Sequence, residues 1–123
     1  MKISDSELKI LEALWLESPL TVGQVIERIQ KLTDWHANTI KTLLARLNKK
    51  EAVKRHKDGK RFFYAANITQ DAVLSEESEG FLSKFFEGRV APLVAHFGNN
   101  KKLTQKDIKE IESILAKLKQ DND

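Results

Sequence analysis

A mostly α-helical fold carrying one small β-hairpin is predicted for this chain of 123 residues. Apolar residues recur at helical spacing in six stretches, and the period drops to about two only between Val53 and Ala65. An Asp-Gly pair, Asp58-Gly59, interrupts that one stretch. The length suits one domain with an appendage better than two full domains. Hydrophobic residues make up 41% and charged residues of both signs 32%, a balance that folds rather than staying disordered.

The first helix is announced by Ser4-Asp5-Ser6-Glu7, an S-x-x-E capping box. In such a box the hydroxyl accepts from a free backbone N–H while the glutamate reaches back to another. Leu8, Leu11, Leu14 and Trp15 follow at helical spacing until Ser18-Pro19, where proline disfavours helix in the residue before it. Thr21-Val22-Gly23-Gln24 is a second capping box and opens a helix to about Lys31, with Val25, Ile26, Ile29 and Leu32 on one face. A third helix starts near His36 or Ala37 and carries the stripe Ile40, Leu43, Leu44 and Leu47. Its opposite side collects Asn38, Thr39, Thr42, Ala45, Arg46 and Lys49, with Lys41 projecting at the edge. Amide and guanidinium groups pair with base edges, and hydroxyls and lysines reach phosphates, so this set suits a major groove.

Val53 to Lys57 and Lys60 to Ala65 read as the two strands of the hairpin, with Asp58-Gly59 as a type I′ turn. Lys57, Lys60 and Arg61 flank its tip. Three helices followed by a basic hairpin is the layout of a winged helix-turn-helix, whose third helix enters the major groove while the hairpin braces the backbone. The domain is expected to span residues 1–70.

Residues 71–123 are expected to form a helical dimerisation domain. Phe81, Leu82, Phe85 and Phe86 make an aromatic face, and Val90, Leu93, Val94 and Phe97 make another after Gly88. Thr104-Gln105-Lys106-Asp107 caps a last helix bearing Ile108, Ile111, Ile114, Leu115 and Leu118. Three short helices make a poor core alone, so Phe81, Phe85, Leu93, Phe97, Ile108, Ile111, Leu115 and Leu118 are assigned to contact with a second copy rather than to packing on the N-terminal domain.

Charge is divided along the chain. Residues 1–70 hold 13 Lys and Arg against 8 Asp and Glu, whereas residues 71–123 hold 8 against 10. The segment His36–Arg61 alone carries +7, with nine basic residues opposed by Glu51 and Asp58, and a field of that sign attracts a polyanion such as double-stranded DNA. The same reading excludes much else. There is no cysteine, and His36, His56 and His96 stand in no metal-ligand spacing, so neither a metal nor a cofactor is expected. Phosphate-cradling glycine motifs and a nucleophile elbow are both missing, and Glu76-Glu77 reads as solvated charge, so no enzyme is expected. Trp15 and Trp35 are core or staple residues. No apolar run approaches the roughly 18 residues of a membrane span, and no signal-peptide stretch opens the chain, so a cytoplasmic protein without membrane insertion is expected.

The run Trp35-His36-Ala37-Asn38-Thr39-Ile40-Lys41-Thr42-Leu43-Leu44-Ala45-Arg46-Leu47-Asn48-Lys49-Lys50 resembles the third helix of the penicillinase-repressor family known as BlaI/MecI/CopY. The likeness extends to the opening I-S-D-S-E-L, the basic wing, Phe81–Gly88 and Pro92–Phe97, and so covers nearly the whole chain. It implies a homodimeric bacterial repressor that binds a dyad-symmetric operator, usually of β-lactamase or related resistance genes. Asn38, Thr39, Lys41, Thr42 and Arg46 match the family's DNA-reading helix, and Lys57 and Arg61 its wing. A membrane-bound sensor protease pathway is implied, with the repressor cut in its dimerisation domain; His96-Phe97 stands where the family's Asn-Phe bond is cut and is the candidate cleavage site. The family often carries glycine after the Lys-Lys pair, where this chain has Glu51, so the third helix is expected to end differently. Without cysteine the copper-responsive branch is excluded, which leaves the β-lactam branch.

Two other readings compete. One is a winged-helix regulator that takes a small apolar effector in a cleft around Phe81, Phe85 and Phe86. A winged helix can also serve as a protein-interaction module, a reading opposed by the +7 segment and separable from DNA binding by salt dependence.

Overall fold

A computed structural model describes residues 2–122. Two compact units divide between Glu76 and Glu77. In chain order the elements are α1 (Asp5–Leu16), β1 (Leu20–Thr21), α2 (Val22–Gln30), α3 (Ala37–Lys49), β2 (Val53–Asp58), β3 (Arg61–Ala66), α4 (Gln70–Phe86), α5 (Val90–Asn99) and α6 (Gln105–Asp121).

The N-terminal unit packs α1, α2 and α3 around one core, closed by a three-stranded antiparallel sheet of order β1-β3-β2. Ile10, Leu11 and Leu14 of α1, Val25 and Ile29 of α2, and Ile40, Leu44 and Leu47 of α3 are almost wholly buried there with Leu20. Val73 in the first turns of α4 joins the same core. Trp15 packs at its edge and donates its indole N–H to the carbonyl of Ile68 at 2.8 Å, while Trp35 covers another edge.

Both capping boxes of this unit are formed in full. The Glu7 N–H donates to Ser4 Oγ at 3.1 Å and the Ser4 N–H to Glu7 Oε1 at 2.9 Å. The Thr21 and Gln24 pair does the same at 3.2 and 2.9 Å. One expected apolar position is corrected: α2 stops at Gln30, because the Leu32 and Thr33 N–H groups both turn back to the Ile29 carbonyl. That turn swings Leu32 out of the α2 stripe, leaving it 78% exposed. The Thr33 hydroxyl also donates to the Ile29 carbonyl at 3.0 Å, and Gln30 Nε2 donates to the Trp35 carbonyl at 3.1 Å, which fixes the turn that delivers α3.

The exit of α3 is a Schellman motif. The Glu51 N–H donates to Asn48 and the Ala52 N–H to Leu47, with Glu51 in the left-handed region at φ 64°. The helix thus ends in the geometry a glycine would adopt, with glutamate holding it. Asn67 Nδ2 steadies the turn by donating to the Glu51 carbonyl at 2.9 Å.

In the hairpin, Asp58 pairs with Arg61, so the two-residue loop is Gly59-Lys60, one residue later than Asp58-Gly59. Gly59 has φ 66° and Lys60 has no positive φ, the pattern of a type II′ turn with glycine first rather than type I′. The shift changes each cross-strand partner by two residues, bringing Lys57 rather than Arg55 opposite Phe62, and leaves every side chain on the same face.

The C-terminal unit, from Glu77, comprises the end of α4 with α5 and α6. None of the residues described in α5 and α6 is buried, whereas Phe81, Phe85, Val90, Phe97, Ile108, Ile114, Leu115 and Leu118 are exposed large apolar side chains. The Thr104–Asp107 capping box is closed at 3.2 and 3.0 Å. No helix among the described residues is long and apolar enough to cross a membrane.

Candidate nucleic-acid interface

Burying Ile40, Leu43, Leu44 and Leu47 leaves the other side of α3 to solvent, and Asn38, Thr39, Lys41, Thr42, Arg46 and Lys49 are all exposed. By helical spacing Asn38, Thr42 and Lys49 follow the middle of that face with Ala45 between them. Thr39 and Arg46 stand along one flank, Lys41 along the other. His36 caps α3 without a side-chain hydrogen bond to it.

The Thr42 hydroxyl already has a partner within α3. It donates to the Asn38 carbonyl at 2.9 Å, one turn back. What it offers outward is an acceptor lone pair and a methyl group, a pair suited to a base edge and not to a phosphate, which needs a donor.

Lys50 is also reassigned. It was part of the basic run by sequence, but its ammonium donates to Glu7 Oε1 at 2.6 Å and to the Lys2 carbonyl at 2.7 Å. Burial works to raise the Glu7 carboxyl, and the bonds from Lys50 and from Ser4 outweigh it, so the group is held below the usual carboxylate value. This pair fastens the start of α1 to the end of α3 and removes one cation from the open field.

The wing presents two different faces. Strand register places Arg55 opposite Tyr64 and Lys57 opposite Phe62 on one side, and Lys54 opposite Ala65, His56 opposite Phe63 and Asp58 opposite Arg61 on the other. Lys57 and Arg61, paired by sequence as wing contacts, therefore point to opposite sides of the hairpin. On the first side the Arg55 guanidinium lies 4.5 Å from the Phe62 ring centroid and the Lys57 ammonium 5.8 Å from it. On the second, His56 stacks on Phe63 at 5.5 Å. Arg55 and Phe62 were not singled out from sequence; the signal available was their alternation with Lys57 across the turn, which puts all three on one face.

No group of three or more His, Asp or Glu side chains that would hold a metal occurs among the described residues. What the site offers is a helix face with base-pairing groups beside a cationic wing, on a rigid three-helix core.

The family model described as penicillinase repressor matches residues 3–117. The chain belongs to the penicillinase repressor family. The penicillinase repressor of Bacillus licheniformis is 35% identical over 118 residues, spanning 96% of this chain and 92% of that protein. The methicillin resistance regulatory protein MecI of Staphylococcus aureus is 33% identical over 116 residues, 94% of each chain. Among solved structures, the monomeric form of B. licheniformis BlaI in complex with the blaP half-operator superposes with a TM-score of 0.52 at 38% identity, over 58% of this chain and 87% of that one. The penicillinase repressor family consists of DNA-binding transcriptional repressors and not of enzymes.

Proposed function

We propose that this chain is a homodimeric repressor that binds a dyad-symmetric operator through α3 and the wing and blocks transcription of β-lactamase or related resistance genes. The observation that carries the reading is the exposed α3 face, Asn38, Thr39, Thr42, Arg46 and Lys49, set beside a wing whose cations face solvent. A repressor solved on its half-operator shares 38% identity over 58% of this chain. In the proposed complex α3 supplies base selectivity, and Lys41, Lys49, Lys57 and Arg61 supply phosphate affinity.

Residues 71–123 act as the dimerisation domain in this reading. Phe81, Phe85, Phe97, Ile108, Leu115 and Leu118 lie open to solvent, with Leu93 and Ile111 half-buried beside them. Apolar surface of this kind calls for a partner, and a second copy gives the two-fold symmetry that an operator dyad requires. Repression is relieved, in this proposal, by a pathway starting at a membrane-bound sensor protease and ending in a cut at His96-Phe97. That bond lies in the last turn of α5 with both side chains exposed, where a short helix frays most readily. Work inside the cell, without membrane insertion, belongs to the same reading.

A second reading has one observation in its favour. Phe81, Phe85, Phe86, Leu93, His96 and Phe97 line a cleft of about 410 Å³, a volume that suits a small apolar effector.

The test is binding of purified protein to random duplex DNA and to its own upstream region over a salt series, with molecular mass measured in the same buffer. A dimer that prefers the upstream DNA and shows a steep salt slope supports the proposal. A monomer, or a protein indifferent to sequence and salt, overturns it.

A further inference from the structure

Phe62 has no place in the core. Its ring is 40% exposed, and it belongs neither to the buried cluster nor to the apolar side chains packed against it. Two cations meet the ring instead. The Arg55 guanidinium and the Lys57 ammonium both lie over this ring, at 4.5 and 5.8 Å from its centroid, and neither is paired with a carboxylate among the described residues.

The register explains the arrangement. Lys57 stands directly opposite Phe62, and Arg55 is two residues earlier on the same face, so both side chains reach the ring by ordinary strand geometry. The negative quadrupole of the ring face attracts each cation and draws together two like charges that would otherwise swing apart. Holding long, flexible side chains beforehand lowers the entropy lost when they later engage an anion. On the far side of the hairpin, with Arg61 and Lys54, the ring of Phe63 is stacked against His56, and no cation lies over it among the described residues.

We infer that Phe62 is a positioning residue for DNA binding, which pre-orders Arg55 and Lys57 as a two-pronged phosphate clamp on one face of the wing. The inference rests on the operator-binding reading above and adds to it the face of the wing that meets the backbone, with Arg55 as a contact. The ring itself touches no DNA in this account and acts only through the two cations.

The experiment measures affinity of the full chain for a short random-sequence duplex across a salt series, for wild type, Phe62→Leu, Phe62→Tyr and Arg55→Ala/Lys57→Ala, and for the last combined with Phe62→Leu. Thermal unfolding is followed in parallel. Phe62→Leu is expected to weaken binding about two- to fivefold and to lower the salt slope, with the unfolding midpoint held, while Phe62→Tyr keeps wild-type behaviour. Adding Phe62→Leu to the variant lacking both cations should then cost nothing more. An equal loss in that background, or no loss in the wild-type background, overturns the clamp. Failure of the operator-binding reading is distinct: wild type itself would then show no salt-dependent binding to duplex DNA.

Discussion

The Lys50 ammonium sits 2.6 Å from Oε1 of Glu7, a carboxylate only 2% exposed, and so clamps the first turn of α1 to the end of α3. The other oxygen, Oε2, is buried without a hydrogen-bond partner. Removing the ammonium would leave a buried charge with only its bonds to Ser4. Breaking a fully buried pair costs about 3–5 kcal/mol, and solvent access to Lys50 reduces that here. Lys50→Met is therefore expected to destabilise the N-terminal unit by on the order of 2 kcal/mol. Urea unfolding followed by tryptophan fluorescence reads it, because Trp15 and Trp35, the two tryptophans of the chain, both lie in that unit. The salt slope of DNA binding should not move, since the charge removed is already engaged; a lowered slope would show that Lys50 reaches phosphate after all.

The same pair sets a pH dependence. Desolvation favours the protonated Glu7, yet the bonds from Lys50 and Ser4 prevail and keep the folded carboxyl below its unfolded value. Because the folded group holds its proton less tightly than the unfolded one, its stabilisation is complete above the ordinary glutamate range. It is lost as the pH falls through that range toward the folded value. Wild type is expected to lose stability on acidification in that window. In Lys50→Met burial then dominates, the Glu7 carboxyl rises, and this part of the acid loss should flatten or change sign. Denaturation midpoints at several pH values compare the two, and parallel curves would refute the assignment.

Glu51 offers a stabilising substitution. A non-glycine residue in the left-handed region costs about 1–2 kcal/mol, and glycine gives back roughly 0.5–1 kcal/mol through its freer unfolded chain. At φ 64° Glu51→Gly should gain about 0.5–1 kcal/mol, with both Schellman bonds and the Asn67 bond kept because they use only backbone atoms of residue 51. Glu51→Val should lose stability, as a β-branched residue tolerates positive φ worst. A shift of the urea midpoint at constant m separates these outcomes, and a destabilised glycine variant would contradict the motif.

The sequence was most legible where the cause is local. The boxes at Ser4, Thr21 and Thr104 are contained within four residues, and each is found with both of its hydrogen bonds. The α3 stripe was equally clear, because Ile40, Leu43, Leu44 and Leu47 repeat at one period. What escaped depends on partners far along the chain. The two residues of β1 form a strand only because Tyr64 and Phe63 lie beside Leu20 and Thr21. Lys50 looked like any lysine of a basic run until Glu7, 43 residues away, was brought to it. The hairpin loop slipped by one residue because Asp58-Gly59 and Gly59-Lys60 both supply the glycine a tight turn needs, and pairing of the strands decides between them.

Dimerisation is open to direct attack on α6. Leu115 and Leu118 are 55% and 52% exposed on the chain alone, so charge placed there costs the isolated chain little. Buried in a contact with a second copy, the same charge would be unpaired and desolvated. Leu115→Glu/Leu118→Glu is expected to halve the mass measured by light scattering at micromolar concentration without lowering helix content. Operator affinity should fall by on the order of 100-fold, because two linked half-site readers lose their effective concentration. An unchanged mass would place the interface elsewhere.

Arg46 and Lys57 should fail in different ways, and the contrast tests the division of labour between α3 and the wing. Arg46 is exposed on the flank of the α3 face near Thr42, one helical turn away, where a guanidinium can pair bidentately with a guanine. Arg46→Ala is expected to cost about 1–3 kcal/mol on the operator and much less on random DNA, so base preference relaxes. Lys57 lies on the wing beside Phe62, and in the proposed complex its charge is assigned to the phosphate backbone. Lys57→Ala should weaken operator and random DNA alike and reduce the salt slope by about one. Titrations of both variants against both DNAs over a salt series distinguish the two patterns. Undiminished selectivity in Arg46→Ala would remove Arg46 from base reading, and an unchanged slope in Lys57→Ala would remove Lys57 from the phosphate contacts.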